Sequence, residues 1–439
     1  MKKQYLLITI FSLMIVQLAS AQFTLDGEFR PRTEYRNGFG NLISEGTDAG
    51  FGISTRARLN AGYKTDNYKV YLSIQDVMVW GENNQVIPDD INDSFAFFEA
   101  WAEINLGKGF STKLGRQVLS YDDQRILGGL NWAQQGRNHD AALLKYANDK
   151  GFKADLAMAF NQNYDNQFGF ISENTVYTND KNFSYKTMLM LHLHKKWEKF
   201  SGSLLLLNNA FQDFTTGTDD DGETVYTSNG TSALMTYGTH LKYNEGKFGA
   251  AANAYFQFGQ RQNAVDLSGA SLFGLDFTYK ATPKATFGAG LEMISGDKDA
   301  TDGETNTFFP LYGTNHKFNG FMDYFYVGNH GIATAKGLFD VHLSGNFKLG
   351  AKSSLLVKAL NFSTDEELTS GEKSLGTEID LVFTQKFKGY ALKLGYSQMF
   401  ASDGMYELKG ISEDAAKGSQ NWAWAMLIIK PKFLTGKKK

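Results

Sequence analysis

From residue 23 onward the chain alternates. In 23–35, Phe23, Leu25, Gly27, Phe29, Pro31, Thr33 and Tyr35 take one parity, and Thr24, Asp26, Glu28, Arg30, Arg32 and Glu34 take the other. A period of two with one apolar and one charged face predicts a strand lying between an apolar medium and water. In 151–161, Phe152, Ala154, Leu156, Met158 and Phe160 oppose Lys153, Asp155 and Asn161 in the same way. In 248–258, Phe248, Ala250, Ala252, Ala254, Phe256 and Phe258 oppose Asn253, Tyr255 and Gln257. Read along the whole chain, the pattern predicts about 18 strands. They fall at 23–35, 50–63, 68–80, 94–106, 110–118, 137–146, 151–161, 183–195, 200–212, 232–243, 248–261, 270–280, 285–295, 337–349, 353–363, 375–387, 390–400 and 420–433. Leu204–Leu207 is apolar on both faces, and Leu356 and Leu360 break the parity of their strand. Pro31 cannot donate to a ladder and predicts a bulge.

The connections alternate between short and long. Short ones such as 64–67, 107–109, 147–150 and 388–389 separate long ones at 36–49, 81–93, 119–136, 162–182, 213–231, 262–269, 296–336, 364–374 and 401–419. Tight turns on one side and long loops on the other are the rhythm of an up-and-down membrane barrel. In lipid every backbone N–H and C=O must be paired, so such a sheet has to close. The predicted fold is therefore all-β: a transmembrane, up-and-down, antiparallel β-barrel of about 18 strands, with both ends on the short-turn side.

Composition agrees with this picture. Phe and Tyr dominate the aromatics, glycine is common, proline is scarce, and cysteine is absent. Without cysteine there is no disulfide framework and no thiolate metal site. Lys2 and Lys3, the apolar run Leu6–Leu18 and Ala19-Ser20-Ala21 predict a signal peptide over 1–21, with the barrel occupying 22–439. No cysteine follows the cleavage point, which excludes a lipoprotein. Loss of the leader moves the formal charge from −3 to −5. Such a balance carries no nucleic-acid footprint.

The arginines alter the picture most. The mature chain has Arg30, Arg32, Arg36, Arg56, Arg58, Arg116, Arg125, Arg137 and Arg261, and all but the last lie in the first third. Parity places Arg30, Arg32, Arg56 and Arg58 on the water face of the first two strands. Arg116 and Arg137 flank a loop holding Arg125. Arginine forks match carboxylates, so these residues are candidates for a cationic arc along an anion path. The bland alternative is a ladder of ion pairs with Asp26, Glu28, Glu34, Glu99 and Glu103. The segment 114–132, LGRQVLSYDDQRILGGLNW, is dense enough in Arg, Asp and Gly to fold back and constrict a pore.

Other chemistry is sparser. Asp297, Asp299, Asp302 and Glu304 form a candidate calcium loop, though the spacing departs from the EF-hand pattern and a solvated acidic loop is the simpler reading. The aromatics of 308–325 suit packing in the barrel mouth better than sugar stacking. His192 and His194 share a strand face without a third metal ligand. His342 and Ser344 are in the order of an outer-membrane phospholipase but on the lumen parity, which disfavours an enzyme. No phosphate-binding loop, nucleophile elbow or paired-carboxylate site is present.

The segments LGRQ…DDQR…W in 114–132, NHDAALLKY in 138–146, SGDKDATDG in 295–303, LYGTNHKFNGFMDY in 311–324 and LGTEIDL in 375–381 resemble the alginate-export family of outer-membrane porins. The resemblance implies a monomeric barrel in the outer membrane of a Gram-negative bacterium, surrounded by lipid, with a lumen whose basic residues select a polyuronate. It points to Arg116 and Arg137 as lumen arginines, with Arg56 and Arg58 following by strand position. The expected function is a passive, non-enzymatic channel for an anionic saccharide, with no cofactor beyond the candidate calcium and with any periplasmic export partner undefined. The alternatives are a general or nutrient-uptake porin, a barrel lipase using His342 and Ser344, and an adhesive barrel.

Overall fold

The computed structural model describes residues 22–82, 94–161, 164–166, 169–170, 185–219, 222, 224–262, 265–299, 301, 303–325 and 336–435. The leader assigned to 1–21 lies outside them. Eighteen long strands alternate up and down: β1 (Gln22–Asn37), β2 (Gly50–Lys64), β3 (Tyr68–Val79), β4 (Ala96–Gly107), β5 (Phe110–Gln117), β6 (His139–Ala147), β7 (Phe152–Phe160), β8 (Thr187–Lys196), β9 (Phe200–Thr218), β10 (Thr224–Glu245), β11 (Phe248–Arg261), β12 (Val265–Thr282), β13 (Ala285–Ile294), β14 (Leu338–Lys348), β15 (Ser353–Ser363), β16 (Ser374–Lys386), β17 (Tyr390–Ala401) and β18 (Gln420–Ile429, resumed at Lys432–Leu434). Each pairs antiparallel with the next, and β18 pairs back onto β1, so the sheet is closed. Closure leaves no unpaired edge for lipid to meet.

Phe29, Phe51, Leu114, Met158, Leu189, Phe248, Phe277 and Leu343 are exposed on the outer face, where lipid replaces water as their solvent. We call the long connections L1 to L9 in chain order; they lie at one end of the barrel and the short turns at the other.

The sequence reading needs correction at two places, Pro31 and the loop 213–231. Pro31 makes no bulge: β1 and β2 keep one register from Gln22–Lys64 to Arg36–Gly50. The pairs with β18 instead skip from Phe29 to Arg32, so the ring sits where no donor is required. The register shift in β1 falls at Leu25/Asp26, opposite the interruption of β18 at Lys430-Pro431. Most of the expected loop 213–231 is strand, because its Thr-, Val- and Tyr-rich flanks extend the β9–β10 ladder to Thr218–Thr224.

The leucines that broke the two-faced pattern have a tertiary cause. Leu204 and Leu206 point to lipid, whereas Leu205 and Leu207 point inward and are buried. They share one apolar cluster with Leu119, Ile126 and Leu127 of L3 (118–138) and with Phe308, Phe309, Leu311 and Tyr312 of L7 (295–337). Leu360 is covered in the same way, and Phe362 meets Phe325 of L7 with ring centroids 4.8 Å apart. Two of the long loops therefore fold inward and pack against the wall.

Candidate functional site

Every one of the eighteen strands carries at least one buried inward side chain, from Arg32 on β1 through Phe98, His139, Met190, Leu207, Tyr255, Glu292, Leu360 and Glu378 to Trp424 on β18. L3 and L7 thus cross the lumen as one block. They are joined backbone to backbone, with Gly128 N donating to Tyr312 O at 2.8 Å and Thr314 N to Gln124 O at 2.9 Å. Arg137 Nη1 adds a bond to Gly313 O at 2.9 Å. Tyr121 of L3 donates to Asp155 at 3.0 Å, and burial beside that carboxylate pushes its phenol well above the ordinary range. It therefore remains a donor at physiological pH.

The first-third arginines hold this block. The L3 stretch 131–135 turns its carbonyls toward β1 and β2. Arg30 donates to Asn131 O at 2.7 Å, to Ala133 O at 2.8 Å and to Gln134 Oε1 at 3.0 Å. Arg32 donates to Trp132 O at 3.2 Å and lies 4.8 Å from that indole ring. Arg56 donates to Gln134 O at 3.2 Å and Asn131 Oδ1 at 2.9 Å, and is ion-paired with Glu28. Arg58 donates to Gln75, reaches Gln135 O at 3.4 Å and stacks 3.5 Å over Phe98. Planar forks suit this work, because each guanidinium serves several acceptors at fixed angles. Gly136 follows at φ +72, where an added Cβ would lie 2.8 Å from the Phe98 ring.

Arg125 projects from the far side of L3. Its guanidinium is fully buried, ion-paired with Glu292 at 2.5 Å and bonded to Asn315 and Asn319 of L7 at 2.7 and 3.1 Å. Three strands further round the wall, on β16, Glu378 accepts Met322 N of L7 at 2.9 Å. Behind L7 packs α1 (Asp403–Lys409) of L9, whose Lys409 donates to Tyr324 O at 2.9 Å and Gly40 O at 3.3 Å. Burial there pushes the Lys409 ammonium down to about 8.

The expected arginine arc is therefore gathered in part. Arg30, Arg32, Arg56, Arg58, Arg125 and Arg137 all reach the L3–L7 block, but their donors are turned onto protein acceptors. Arg116 departs from expectation. It pairs opposite Ala100 and Asp140 on the lipid-facing parity and forms a fork with Asp140 at 2.8 Å on the outer rim. Of the candidate calcium ligands, Asp302 lies outside the described residues. Asp299 accepts from Thr301 and Glu304 from Ser268. Among the described residues no three His, Asp or Glu side chains are grouped to hold a metal. The ring nitrogens of His342 lie 2.9 Å from Asp340 and from Asp276, so neither addresses Ser344.

Beneath the block, on the short-turn side, a cavity remains. A cavity of about 670 Å³ is lined by β7 to β11 and roofed by Tyr121–Asp123 and Lys317 of the two loops. Lys153, His194 and Lys242 face it. Sequence reasoning placed Lys153 on a polar face and weighed His194 only as half of a metal pair, and it did not single out Lys242, although polar parity was the available signal.

The sequence profile of the family described as alginate export matches residues 21–416. No curated protein matches the chain significantly. Among solved structures, the chain is similar to OccAB4 of Acinetobacter baumannii, with TM-score 0.60 and 14% identity over 94% of this chain and 99% of that one. It is also similar to OpdO of Pseudomonas aeruginosa, with TM-score 0.61 and 10% identity over 94% and 98%. A third is OccK11 (OpdR) of the same species, with TM-score 0.57 and 12% identity over 94% and 96%. At these identities the likeness is one of fold.

Proposed function

The chain belongs to the alginate-export family and forms an outer-membrane channel, and on that premise we propose that its solute is an anionic saccharide, a polyuronate such as alginate, moving passively and without catalysis. The family match over nearly the whole chain carries this reading. The lumen supports it with inward lysines near the short-turn ends of their strands, Lys113, Lys153, Lys242 and Lys393. Fixed charge beside a constriction raises the local concentration of the opposite ion. Arg30, Arg32, Arg56, Arg58, Arg125 and Arg137 contribute by holding L3 and L7 where they set the bore. The working unit is a single barrel in a Gram-negative cell.

Planar-bilayer recording of the purified protein tests the reading. The expected result is anion-preferring current that falls when a mannuronate oligomer is added on the short-turn side. Cation preference, or current indifferent to the oligomer, would overturn the anionic-saccharide assignment.

A further inference from the structure

We propose that the lipid-facing groove across β10 to β14, with the lysine-bearing turns at its foot, is a docking site for one anionic glycerophospholipid. The acyl chains lie in the groove and the phosphate lies against Lys247 and Lys284. The proposal needs only a barrel in a bilayer and is independent of what the channel carries.

The groove, of about 700 Å³, comes from an alternation of large and small side chains on the outer face. In register across the five strands stand Tyr243, Ala250, Phe277, Ala289 and Leu343. Phe277 is a ridge, and the alanines beside it are hollows two strand spacings apart, about 10 Å. One row nearer the turns, Phe248 and Tyr279 have ring centroids 5.0 Å apart, and Phe287 meets the Phe347 ring at 5.8 Å. These rings close the lower end of the groove. Two hollows on either side of one ridge suit the two acyl chains of a single lipid. A chain recessed between aromatic walls makes dispersion contacts on several sides, where a flat barrel face offers one.

Charge selects the headgroup. From β10 to β17 the four short turns hold Lys247, Lys284, Lys352 and Lys388 and no Asp or Glu. Three of the four earlier turns hold an acid: Asp66, Asp149 or Glu198. Backbone bonds set further lysines beside those of the turns. Lys280 N donates to Lys247 O, Lys348 N to Lys284 O and Lys386 N to Lys352 O, each at 2.8 Å. Among the described residues the lysines in ion pairs are Lys69, Lys145, Lys199 and Lys430, so those beneath the groove have no carboxylate partner. Glu245, at the foot of β10, is taken by Lys199. Adjacent like charges repel, and a phosphate brought among them relieves that repulsion. Lys280 and Lys348 take the lumen parity, but Lys247 and Lys284 are turn residues, one adjoining Phe248 and the other three residues before Phe287. Their stems are long enough to lie along apolar surface with the ammonium at the membrane–water boundary.

Native mass spectrometry of the barrel in mild detergent tests this, after titration with dioleoyl phosphatidylglycerol, dioleoyl phosphatidylcholine or lipid A. The wild type is expected to retain one phosphatidylglycerol in preference to phosphatidylcholine. Lys247→Gln with Lys284→Gln is expected to cut that preference at least about tenfold. Lys108→Gln with Lys150→Gln, in turns away from the groove, is expected to leave it unchanged. Ala250→Phe with Ala289→Phe fills both hollows from the lipid side and is expected to abolish retention, with heat-modifiable gel mobility confirming that each variant is folded. Equal retention of the two phospholipids would overturn the site. So would retention unchanged in either the Lys247/Lys284 or the filled variant, or lipid A held by the same lysines in place of phosphatidylglycerol. None of these results bears on the solute, which the bilayer current decides separately.

Discussion

Two stretches of the lumen wall carry inward cations, and they use them differently. On β1 and β2, Arg30, Arg32 and Arg56 are buried and spent on the carbonyls of 131–135 and on Glu28 and Glu34. On β7 to β10, Lys153, His194 and Lys242 face an open cavity. The difference teaches that an inward charge in a barrel has two fates. Where a loop folds onto it, the charge positions the loop. Where the loop stops short, the charge faces the cavity. Residue type follows the fate: forked arginines bind several fixed acceptors, and lysines remain adaptable.

The comparison can be broken hardest at Arg125. This side chain ties L3 to β13 and L7, and Glu292 has little else to balance it besides Asn319. Arg125→Ala leaves a buried carboxylate unpaired and is expected to cost about 3–5 kcal/mol in urea unfolding of the lipid-embedded protein. It should also raise single-channel conductance as L3 and L7 part. Unchanged conductance would mean that the block stays closed without this link. Arg56→Ala is expected to cost less, about 2–3 kcal/mol, because Glu28 keeps Lys430 at 2.9 Å. Its signature is faster hydrogen exchange in 131–135 with the cavity lysines undisturbed; exchange that stays slow would show that Arg30 and Arg32 suffice as a clamp.

Arg116→Gln sharpens the contrast by its small effect. An exposed rim pair contributes about 0–1 kcal/mol, and from the outer face it should leave ion selectivity unaltered. A loss of anion preference in this variant would return Arg116 to the pore.

The smallest effect is a pH dependence at Lys409. Burial lowers its folded-state pKa to about 8 from near 10.5. The unfolded chain therefore holds the proton between those values while the folded protein has released it. The seating of α1 on L7 should tighten as pH rises from 8 to 10, and below 8 the penalty is constant. Hydrogen exchange of 403–409 at pH 7.5 and 9.5, corrected for intrinsic rates, should show slower opening at the higher pH. Lys409→Met should abolish the difference, and a difference that persists would assign it to another group.

The wall was almost entirely legible in the sequence. Strands such as β1, β7 and β11 meet lipid on one face and the lumen on the other, and a period of two records that locally. The short and long connections set the alternation of turns and loops. The exceptions were informative: Leu205, Leu207 and Leu360 are apolar on the lumen parity because loops cover them. They announced a filled lumen without saying what filled it. The site was legible only as a set of residue types. Parity brought Arg30, Arg32, Arg56 and Arg58 inward correctly, but Arg116, near the end of a strand whose exit is shaped by Gly115 at φ +116, stands on the lipid parity.

By itself the sequence determined a closed barrel of eighteen strands, which residues face lipid, and where the charges concentrate. Each of these depends on neighbours one or two residues away, or on the demand that every backbone group in lipid be paired. Only the tertiary structure decided which charges are consumed. That outcome depends on L3 and L7 meeting across the lumen, through contacts such as Arg125 with Asn315 and Gln124 with Thr314, each 190 residues apart in the chain. No local periodicity encodes a contact of that kind.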